Sequence, residues 1–557
     1  MDEKRPLHMI KGFLKENVES FLLLTLLVFI CYTNSLWNDF VSDDIAAIPG
    51  NPTIKTIGYL FTNPLFFARS IPFYIIFKIG GAAPFFFRLL NVFFHLGNVL
   101  LLYVIIRRLS GKTIAILVSA LFAVHPVLSE SVTWISGGVY SQYAFFFLLS
   151  FLLFILSVKI QVTSYTLRVT GFLYALSLFS FLLALSTSEK AVVLPFVLLL
   201  YEFCFGSLKD RWIKIIPYFL VSFFWGILYL MLRLTERVNF LQSQFHLQEG
   251  FDNPIYQIPI AIVSYLRLIF LPVYLTFYHS ELNFTYGRYV AYLLLFLGFL
   301  TVAVVAFKKN KAVFFWISFF VITLLPTLTP FRISWIVAER YVYLGTAGIL
   351  FAVGYLLGKI AEKDSHKVKV YGVFVFILLL LMIRTIYRNI DWKNQDNLWI
   401  ATAKTSPSSP VSHNNLAGVY VGRKDYKSAE KELKIAIQLN PNYADAYHNL
   451  GNIYKDTGRQ NVAIGEYKKA VSLNPGLWQS YLNLSSLYFD EKKYMEAKEQ
   501  IQKAIAIVPE NYALHRNLGI IYYNLKEKDK AMEEFLKVLQ IEPRDKLAQM
   551  WVSQLSQ

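Results

Sequence analysis

The chain has 557 residues, of which 55% are hydrophobic and only 16% are charged, with a mean hydropathy of +0.44 and a formal net charge of +17. About a quarter of the residues of an ordinary soluble domain are charged, so this composition excludes a conventional soluble enzyme and a disordered chain. Apolar runs fill the first two thirds, whereas the last third is polar and rich in Lys and Glu. The unevenness predicts a polytopic membrane region followed by a water-soluble one.

The first apolar run, at about 18–36, follows a basic N-terminal segment and is interpreted as a signal anchor with its basic side in the cytoplasm. A spanning helix needs about 20 apolar residues. Further runs of that kind lie near 86–107, 113–128, 139–158, 169–187, 190–206, 213–232, 289–307, 312–330, 338–358 and 370–388.

Lys and Arg concentrate in five loops between these runs, and such loops remain on the cytoplasmic side of a membrane. These loops lie at 107–112, 159–168, 209–214, 308–311 and 359–369. Alternation between them predicts about eleven crossings, with the N-terminus inside and the C-terminus outside.

The apolar stretch 257–278 does not fit this alternation, because a single crossing there would move the basic loop 308–311 to the outer side. It contains Pro259 and Pro272, which would interrupt a helix. We therefore expect this stretch to be re-entrant, to lie at the surface, or to form two short halves.

The polar third repeats with a period of 34 residues, which is the period of the tetratricopeptide repeat, a helix–turn–helix unit. Prolines that end each unit, leucines, tyrosines between units, and alanines where two helices approach closely all share this spacing. They are Pro407, Pro441, Pro475, Pro509 and Pro543; Leu416, Leu450, Leu484 and Leu518; Tyr420, Tyr454, Tyr488 and Tyr522; and Ala429, Ala463, Ala497 and Ala531. Four full repeats are expected from about 410 to 543, with a partial unit at 391–407 before them and a terminal helix at 545–557 after them.

A fourth register consists of asparagines on the first helix of each unit, where the side chain faces the concave groove. They are Asn415, Asn449, Asn483 and Asn517. An amide both donates and accepts hydrogen bonds, so such a ladder suits an extended peptide of any sequence. It resembles the ladder in the repeats of nucleocytoplasmic O-GlcNAc transferases. The alternative is that these asparagines support the turn of the repeat.

Polar groups at the ends of the apolar runs form candidate sites, because charge near bilayer depth is costly. The topology places all of them on the outer side. They are Asp43, Asp44, Asn51 and Arg69 in the first loop; His125 and Glu130 after the third run; Glu189 and Lys190 after the fifth; and Glu339, Arg340 and Tyr341 at the end of the segment 332–341.

This set of residue types suits glycosyl transfer from a lipid-phosphate sugar. An acid must accept the proton of an acceptor hydroxyl as it attacks the anomeric carbon, and Asp43 and Asp44 are the candidates. Cations must neutralise the departing phosphate. Lys190 and Arg340 are the first candidates for that role, followed by Arg69 and His125.

The same residues, in this order, carry a family resemblance. The Asp43–Asp44 pair, His125-Pro-x-x-x-Glu130, Glu189–Lys190 with Pro195, Glu339-Arg340-Tyr341, and downstream repeats occur together. The chain resembles the transmembrane and tetratricopeptide-repeat O-mannosyltransferases and, more distantly, other GT-C glycosyltransferases. The resemblance implies inverting transfer from polyprenyl- or dolichyl-phosphate mannose to Ser/Thr hydroxyls of extracytoplasmic proteins, with the first-loop acid as base.

The chain departs from that family in two places. The family tends to have Lys-Glu where Glu189–Lys190 stands, and Gly-Arg-Ala-acid where Gly138-Val-Tyr-Ser141 stands. Mannose is therefore the default sugar. The sequence leaves open whether a divalent metal, Mg or Mn, binds at Asp43 and Asp44.

The sequence thus predicts an all-α chain: a GT-C-like membrane domain at 1–390 and an extracytoplasmic tetratricopeptide-repeat α-solenoid at 391–557. The expected partners are a polyprenyl- or dolichyl-phosphate sugar, membrane lipid and an extended polypeptide, with no nucleic acid. The expected location is the plasma (inner) membrane, or the ER membrane in a eukaryote. Two alternatives remain: a non-enzymatic membrane scaffold for envelope or secretion assembly, and a Wzy/ligase-like transferase of whole lipid-linked glycans.

Overall fold

The computed structural model describes residues 4–159, 164–244, 254–279, 285–328 and 337–557. It divides the chain into two compact units, Met1–Thr405 and Ser406–Gln557. The α-helices of the first unit are Lys4–Tyr32, Asp43–Ala47, Phe67–Gly80, Pro84–Ser110, Lys112–Val124, Ser129–Thr133, Val139–Lys159, Ser164–Leu185, Leu194–Phe205, Leu208–Arg211, Ile216–Gln244, Pro254–Phe270, Tyr286–Lys309, Lys311–Leu324, Thr346–Ala361, Asp364–Asp391 and Gln395–Thr405.

Within the described residues, six helices are long and apolar enough to cross a membrane, and a seventh is added if the pair Lys112–Val124 and Pro126–Thr133, bent by 53°, is one span. Four shorter apolar helices lie at Val169–Leu185, Tyr256–Phe270, Lys311–Thr327 and Thr346–Ala361. The first unit is therefore a polytopic membrane domain. The count of eleven crossings and the orientation of the chain stay predictions.

One expectation was wrong in detail, because Pro259 does not interrupt a helix. A single helix runs from Pro254 to Phe270 with Pro259 inside it. The proline lacks an N–H, so it removes one hydrogen bond close to the start of the helix, and the remaining turns are retained. The helix ends before Pro272, as a proline at that position requires.

The boundary between the units follows Thr405 and not residue 390. The helix Gln395–Thr405, which was expected to be a partial repeat, packs within the membrane unit. Its Trp399 contacts the rings of Phe277 and Tyr278, with centroids 5.7 and 6.1 Å away. Aromatic contact with the loop after the helix Pro254–Phe270 holds this helix in the first unit.

Basic residues of the first predicted cytoplasmic loop contact Glu16, which lies in the first half of the helix Lys4–Tyr32. Arg107 pairs with Glu16 at 2.6 Å, and Lys112 donates to the Glu16 carbonyl at 3.2 Å. At the opposite end of the bundle, the Asn389 amide donates to the Cys31 carbonyl and to Asn34, both at 2.8 Å. The last long helix therefore ends next to the point where the first one ends.

The second unit consists of nine α-helices: Pro410–Gly422, Tyr426–Leu439, Ala444–Asp456, Gln460–Leu473, Trp478–Asp490, Tyr494–Ile507, Tyr512–Asn524, Lys528–Ile541 and Lys546–Leu555. The four alanines of the register are fully buried, and the four leucines are at most 9% exposed. Four helical pairs and a terminal helix confirm the predicted repeats.

Candidate active site

The two adjacent carboxylates of the first loop have different surroundings. Asp43 is exposed, whereas Asp44 is fully buried. The Asp44 carboxylate accepts hydrogen bonds from the backbone N–H and the hydroxyl of Ser136, at 2.7 and 2.6 Å. The loop is therefore held to the turn Ser136–Gly138 by Asp44, while Asp43 remains available to solvent.

Burial raises the pKa of the Asp44 carboxyl to about 6, although the hydrogen bonds from Ser136 and the nearby Arg88 guanidinium act in the opposite direction. The preceding residue, Ser42, has φ 53° and ψ −128°. This region disfavours side chains other than glycine, and such strain is often found at functional sites. The Ser42 N–H donates to the Gln395 side chain at 2.8 Å, which holds this backbone in place.

Arg88 secures the rest of the loop from within the helix Pro84–Ser110. It is fully buried and donates to the carbonyls of Asn38, Asp39 and Thr133. One side chain therefore fixes the first loop and the short helix Ser129–Thr133 together.

Two arginines and two buried glutamates form two ion pairs in the membrane unit. Arg340 pairs with Glu130 through its guanidinium, and its backbone N–H donates to the second Glu130 oxygen at 2.9 Å. Arg388 donates to both oxygens of Glu339 at 3.2 Å. Because Glu130 and Glu339 also interact electrostatically, the two pairs form one network.

Lys190 and Arg340 lie over the same aromatic ring. The Lys190 amine is 3.9 Å from the centre of the Tyr341 ring, and the Arg340 guanidinium is 5.1 Å from it. Tyr140 packs against Tyr341 at 5.9 Å. The structure therefore brings together two cations that the sequence places 150 residues apart, beside the buried Tyr341 and the half-buried Tyr140.

The exposed acid is connected to these cations through Tyr278. The Tyr278 hydroxyl is within electrostatic range of both Asp43 and Arg340. Burial and the Asp43 charge raise the pKa of Tyr278 to about 12, and Arg340 opposes them. The charges of Asp43 and Arg340 thus act on the same hydroxyl with opposite effects.

The remaining predicted residues make contacts of their own. Arg69 is exposed, and its backbone N–H donates to the Ser186 carbonyl at 3.4 Å, beside the turn that carries the half-buried Glu189. Both ring nitrogens of His125 are engaged, with Val127 N–H and the Ile269 carbonyl. Asn51 caps a short helix by accepting from Thr53.

A metal at the aspartate pair does not fit this geometry. Both oxygens of Asp44 accept hydrogen bonds from the protein. Among the residues that the structure describes, no group of three or more His, Cys, Asp or Glu side chains is arranged to hold a metal ion. No step is therefore derived through a metal.

Two of the four register asparagines bridge neighbouring repeats. Asn449 donates to Asn414 at 2.8 Å, and Asn483 donates to Asn452 at 3.0 Å. The side chains of Asn415 and Asn517 form no such bond within the fully described repeat unit, and all four residues are half-buried. The four asparagines therefore fall into two groups: two that bridge neighbouring repeats and two that do not.

Sequence reasoning missed Arg88, Arg388, Ser136 and Tyr278. Arg88 and Arg388 interrupt or end long apolar runs, so the rule that charge inside such runs marks a site could have found them. Ser136 and Tyr278 carry no such signal, because their partners are distant in the chain.

The fold and the site define a polytopic, all-helical membrane protein with a tetratricopeptide-repeat unit and a cluster of acids and cations at one end of the helical bundle. Family profiles described as TPR repeat and tetratricopeptide repeat match residues 418–458, 444–477 and 488–555.

Curated relatives extend the similarity into the membrane unit. The human protein O-mannosyl-transferase TMTC3 is 24% identical over 482 residues, covering 76% of this chain and 52% of that protein. The Caenorhabditis elegans protein O-mannosyl-transferase F38B6.6 is 24% identical over 471 residues, covering 77% of this chain and 64% of that protein. The chain is thus similar over most of its length to proteins named protein O-mannosyl-transferases, which confirms the resemblance; it spans about half the length of the first of these relatives.

Solved structures resemble a part of the chain. The crystal structure of MamA is 23% identical and covers 28% of this chain and 90% of that one, with a TM-score of 0.25. The crystal structure of YrrB is 20% identical and covers 35% of this chain and 96% of that one, also with a TM-score of 0.25.

Proposed function

We propose that this chain is a membrane glycosyltransferase that moves a sugar from a polyprenyl- or dolichyl-phosphate donor to Ser/Thr hydroxyls of proteins. Mannose is the expected sugar, because the curated relatives are named protein O-mannosyl-transferases. The observation that supports this most is that two cations, Lys190 and Arg340, share the ring of Tyr341. The exposed acid Asp43 and Arg340 also act electrostatically on the same residue, Tyr278.

In the proposed reaction, the acceptor hydroxyl oxygen attacks the anomeric carbon as the Asp43 carboxylate takes its proton. The bond between that carbon and the phosphate oxygen breaks, and its electron pair leaves with the lipid phosphate. Lys190 and Arg340 stabilise the added negative charge. A single displacement inverts the configuration at the anomeric carbon.

The neighbouring groups prepare this geometry. Glu130 orients Arg340 by contacting both its guanidinium and its backbone N–H. Arg388 performs the same task for Glu339. Asp44 holds the first loop through Ser136, so the proposed role of Asp44 is to position Asp43. In this proposal the exposed Arg69 contacts the donor from solvent, whereas His125 and Asn51 support the backbone.

The test is an assay of the purified full chain with a polyprenyl-phosphate-mannose donor and an unfolded, Ser/Thr-rich acceptor, with the glycosylated product measured by mass spectrometry. Asp43→Asn is expected to lower the rate by about 100-fold or more, since that is the usual contribution of a general base. Asp39→Asn is the matched control, because Asp39 is exposed and contacts Arg88 through its backbone carbonyl. Full activity of Asp43→Asn would overturn the proposal.

A further inference from the structure

The turn that presents Asp43 contains a strained residue. The Asp44 N–H donates to the Val41 carbonyl at 3.1 Å, which closes a turn with Ser42 and Asp43 at its centre. Ser42 has the dihedral angles of the second residue of a type II′ turn, a position that favours glycine. Among the described residues of the membrane unit, Ser42 is the only residue other than glycine with a positive φ. Such a backbone persists only where the surrounding contacts hold it.

Contacts that hold this turn come from the segment that follows the long helix Asp364–Asp391. The Ser42 N–H donates to the Gln395 side chain at 2.8 Å, across a separation of 353 residues. The Asp39 N–H donates to the Lys393 carbonyl, also at 2.8 Å. The first loop is therefore bonded to this segment at two points along its backbone.

The segment that accepts these bonds is itself well anchored. Trp392 is fully buried and stacks on Trp134, with ring centroids 5.8 Å apart and an interplanar angle of 18°. The Asn394 side chain accepts from the Asn397 N–H at 2.9 Å, which caps the start of the helix Gln395–Thr405. The side chain that meets the first loop thus belongs to the first residue of a helix whose start is fixed by packing and by a cap.

Of the two bonds to the first loop, the one from Ser42 depends on a side chain. A backbone carbonyl such as that of Lys393 is present whatever its side chain is, whereas the Gln395 oxygen is lost on substitution. Without that oxygen, the strained turn would relax toward an ordinary φ and move the Asp43 carboxylate, which is on the next residue. A displacement of about 1 Å at a reacting group can lower a rate by about 100-fold.

We propose that Gln395 is a positioning residue, which fixes the turn at Ser42 and so holds the Asp43 carboxylate where it meets the acceptor hydroxyl. The role of Asp43 rests on the proposed function, whereas the bond between Gln395 and Ser42 does not. The helix that begins at Gln395 ends at Thr405, and the repeat unit begins at Ser406. The segment that leads into the repeats is therefore also the segment that holds the proposed base.

The experiment uses the full chain in phosphatidylcholine nanodiscs. Gln395→Leu removes the acceptor oxygen and keeps a side chain of similar size. Asn397→Leu is the matched control, because it removes a hydrogen bond of the same segment, to the Ile390 carbonyl at 3.0 Å, that does not involve the first loop. Gln395→Asn, which is one methylene shorter, is a second test in case Gln395→Leu does not fold. Ser42→Gly provides a background in which the turn carries the residue that suits its backbone.

The first measurement is hydrogen exchange at the Ser42 amide, which is the donor of the proposed bond and reports on it without any reaction. Exchange is expected to be at least about tenfold faster in Gln395→Leu and to change by less than about twofold in Asn397→Leu, because only the first variant removes the partner of this amide. Unchanged exchange in Gln395→Leu, or an equal rise in the control, would overturn the proposal.

The second measurement is the transfer assay. Gln395→Leu is expected to lower kcat by about tenfold and to leave KM for donor and acceptor within about twofold, since the turn moves while the binding groups stay in place. In the Ser42→Gly background the same substitution should lower kcat by less than about twofold, because glycine adopts this backbone without the tether.

An equal loss of kcat in the two backgrounds would overturn the proposal, because it would show that Gln395 does not act through the strained turn. An unchanged kcat in Gln395→Leu, in an assay in which Asp43→Asn is inactive, would overturn it as well. Absence of transfer by the unaltered chain would contradict the proposed function, and the exchange at Ser42 would then decide by itself whether Gln395 holds the turn.

Discussion

Asp43 and Asp44 are neighbours in the sequence, but their burial differs: Asp43 is exposed and Asp44 is buried. Asp44 contacts Ser136 and lies near Arg88, so its charge is enclosed by the protein. Asp43 keeps the exposure that a base needs in order to reach a substrate. The two carboxylates should therefore respond differently to substitution.

The raised pKa of Asp44 predicts how the protein's stability depends on pH. Its pKa is about 6 in the folded chain and 3.8 in the reference state, so folding favours the protonated form. The stabilisation from this group is complete below about pH 4 and is lost as pH rises through 6. Asp44→Asn should therefore unfold at a higher temperature than the unaltered chain at pH 7.5, and the difference should vanish near pH 4.

The measurement is the apparent melting temperature in detergent across that pH range, with Asp39→Asn as the exposed control. One pKa unit corresponds to about 1.4 kcal/mol, so the effect is at most about 3 kcal/mol. Parallel pH curves for Asp44→Asn and the unaltered chain would contradict the assignment.

At this scale the sequence predicted which residue types form the site but not how they pair. The order of Asp43, Glu130, Lys190 and Arg340 along the chain could be read from polar interruptions of apolar runs. The pairing of Arg340 with Glu130 could not, because 210 residues separate them and a local pattern does not encode a long-range contact. The sequence also could not predict that Asp44 is buried while Asp43 is exposed, because burial too depends on contacts with residues that are distant in the chain.

At the scale of the helices, the repeats were the most predictable part of the chain. A period of 34 residues is local information, and a proline, a leucine and an alanine at fixed spacing specify one helical pair each time. The turns between the two helices of each pair follow the same period. Lys424, Gly458, Lys492 and Lys526 all have a positive φ, between 60° and 77°.

Of these four turns, only that of Gly458 carries a glycine, the residue that suits a positive φ. Substitutions in the turns should therefore change the stability of the repeat unit in opposite directions. A left-handed conformation costs residues other than glycine about 1–2 kcal/mol, and the greater freedom of glycine in the unfolded chain offsets part of the gain from a substitution. Lys492→Gly should raise the free energy of unfolding of the repeat unit by about 0.5–1 kcal/mol. Gly458→Ala should lower it by about 1 kcal/mol.

Urea denaturation of the fragment Ser406–Gln557, followed by circular dichroism, measures both effects. Lys493→Gly is the matched control, since Lys493 is the next residue and has a φ of −85°. A gain from Lys493→Gly equal to that from Lys492→Gly would contradict the argument.

At the scale of the whole molecule, two units of different chemistry are joined in one chain. The membrane unit contains the acids and cations, and the repeat unit contains a polar surface with the asparagine register. In the proposed function the repeats bind the acceptor polypeptide, which raises its effective concentration for the tethered membrane unit. A scaffold with no catalytic role would need the repeats but not the buried charge network.

Two asparagines of the register bridge neighbouring repeats and two do not, so substituting each pair can distinguish peptide binding from support of the repeats. Asn449 and Asn483 bridge neighbouring repeats, so replacing both with Ala should lower the stability of the unit. Asn415 and Asn517 form no side-chain hydrogen bond within the repeat unit. Asn415→Ala with Asn517→Ala should therefore leave stability unchanged and weaken binding of an extended polypeptide by about 30-fold, since two hydrogen bonds of about 1 kcal/mol each are lost.

Fluorescence anisotropy of a labelled, unfolded polypeptide measures that affinity, and thermal denaturation measures the stability of the same samples. In the transfer assay, the Asn415/Asn517 double variant should raise KM for a long acceptor and leave kcat unchanged, because the membrane unit is intact. Unchanged affinity in this variant, together with lower stability in both pairs, would assign the whole register to support of the repeat turns.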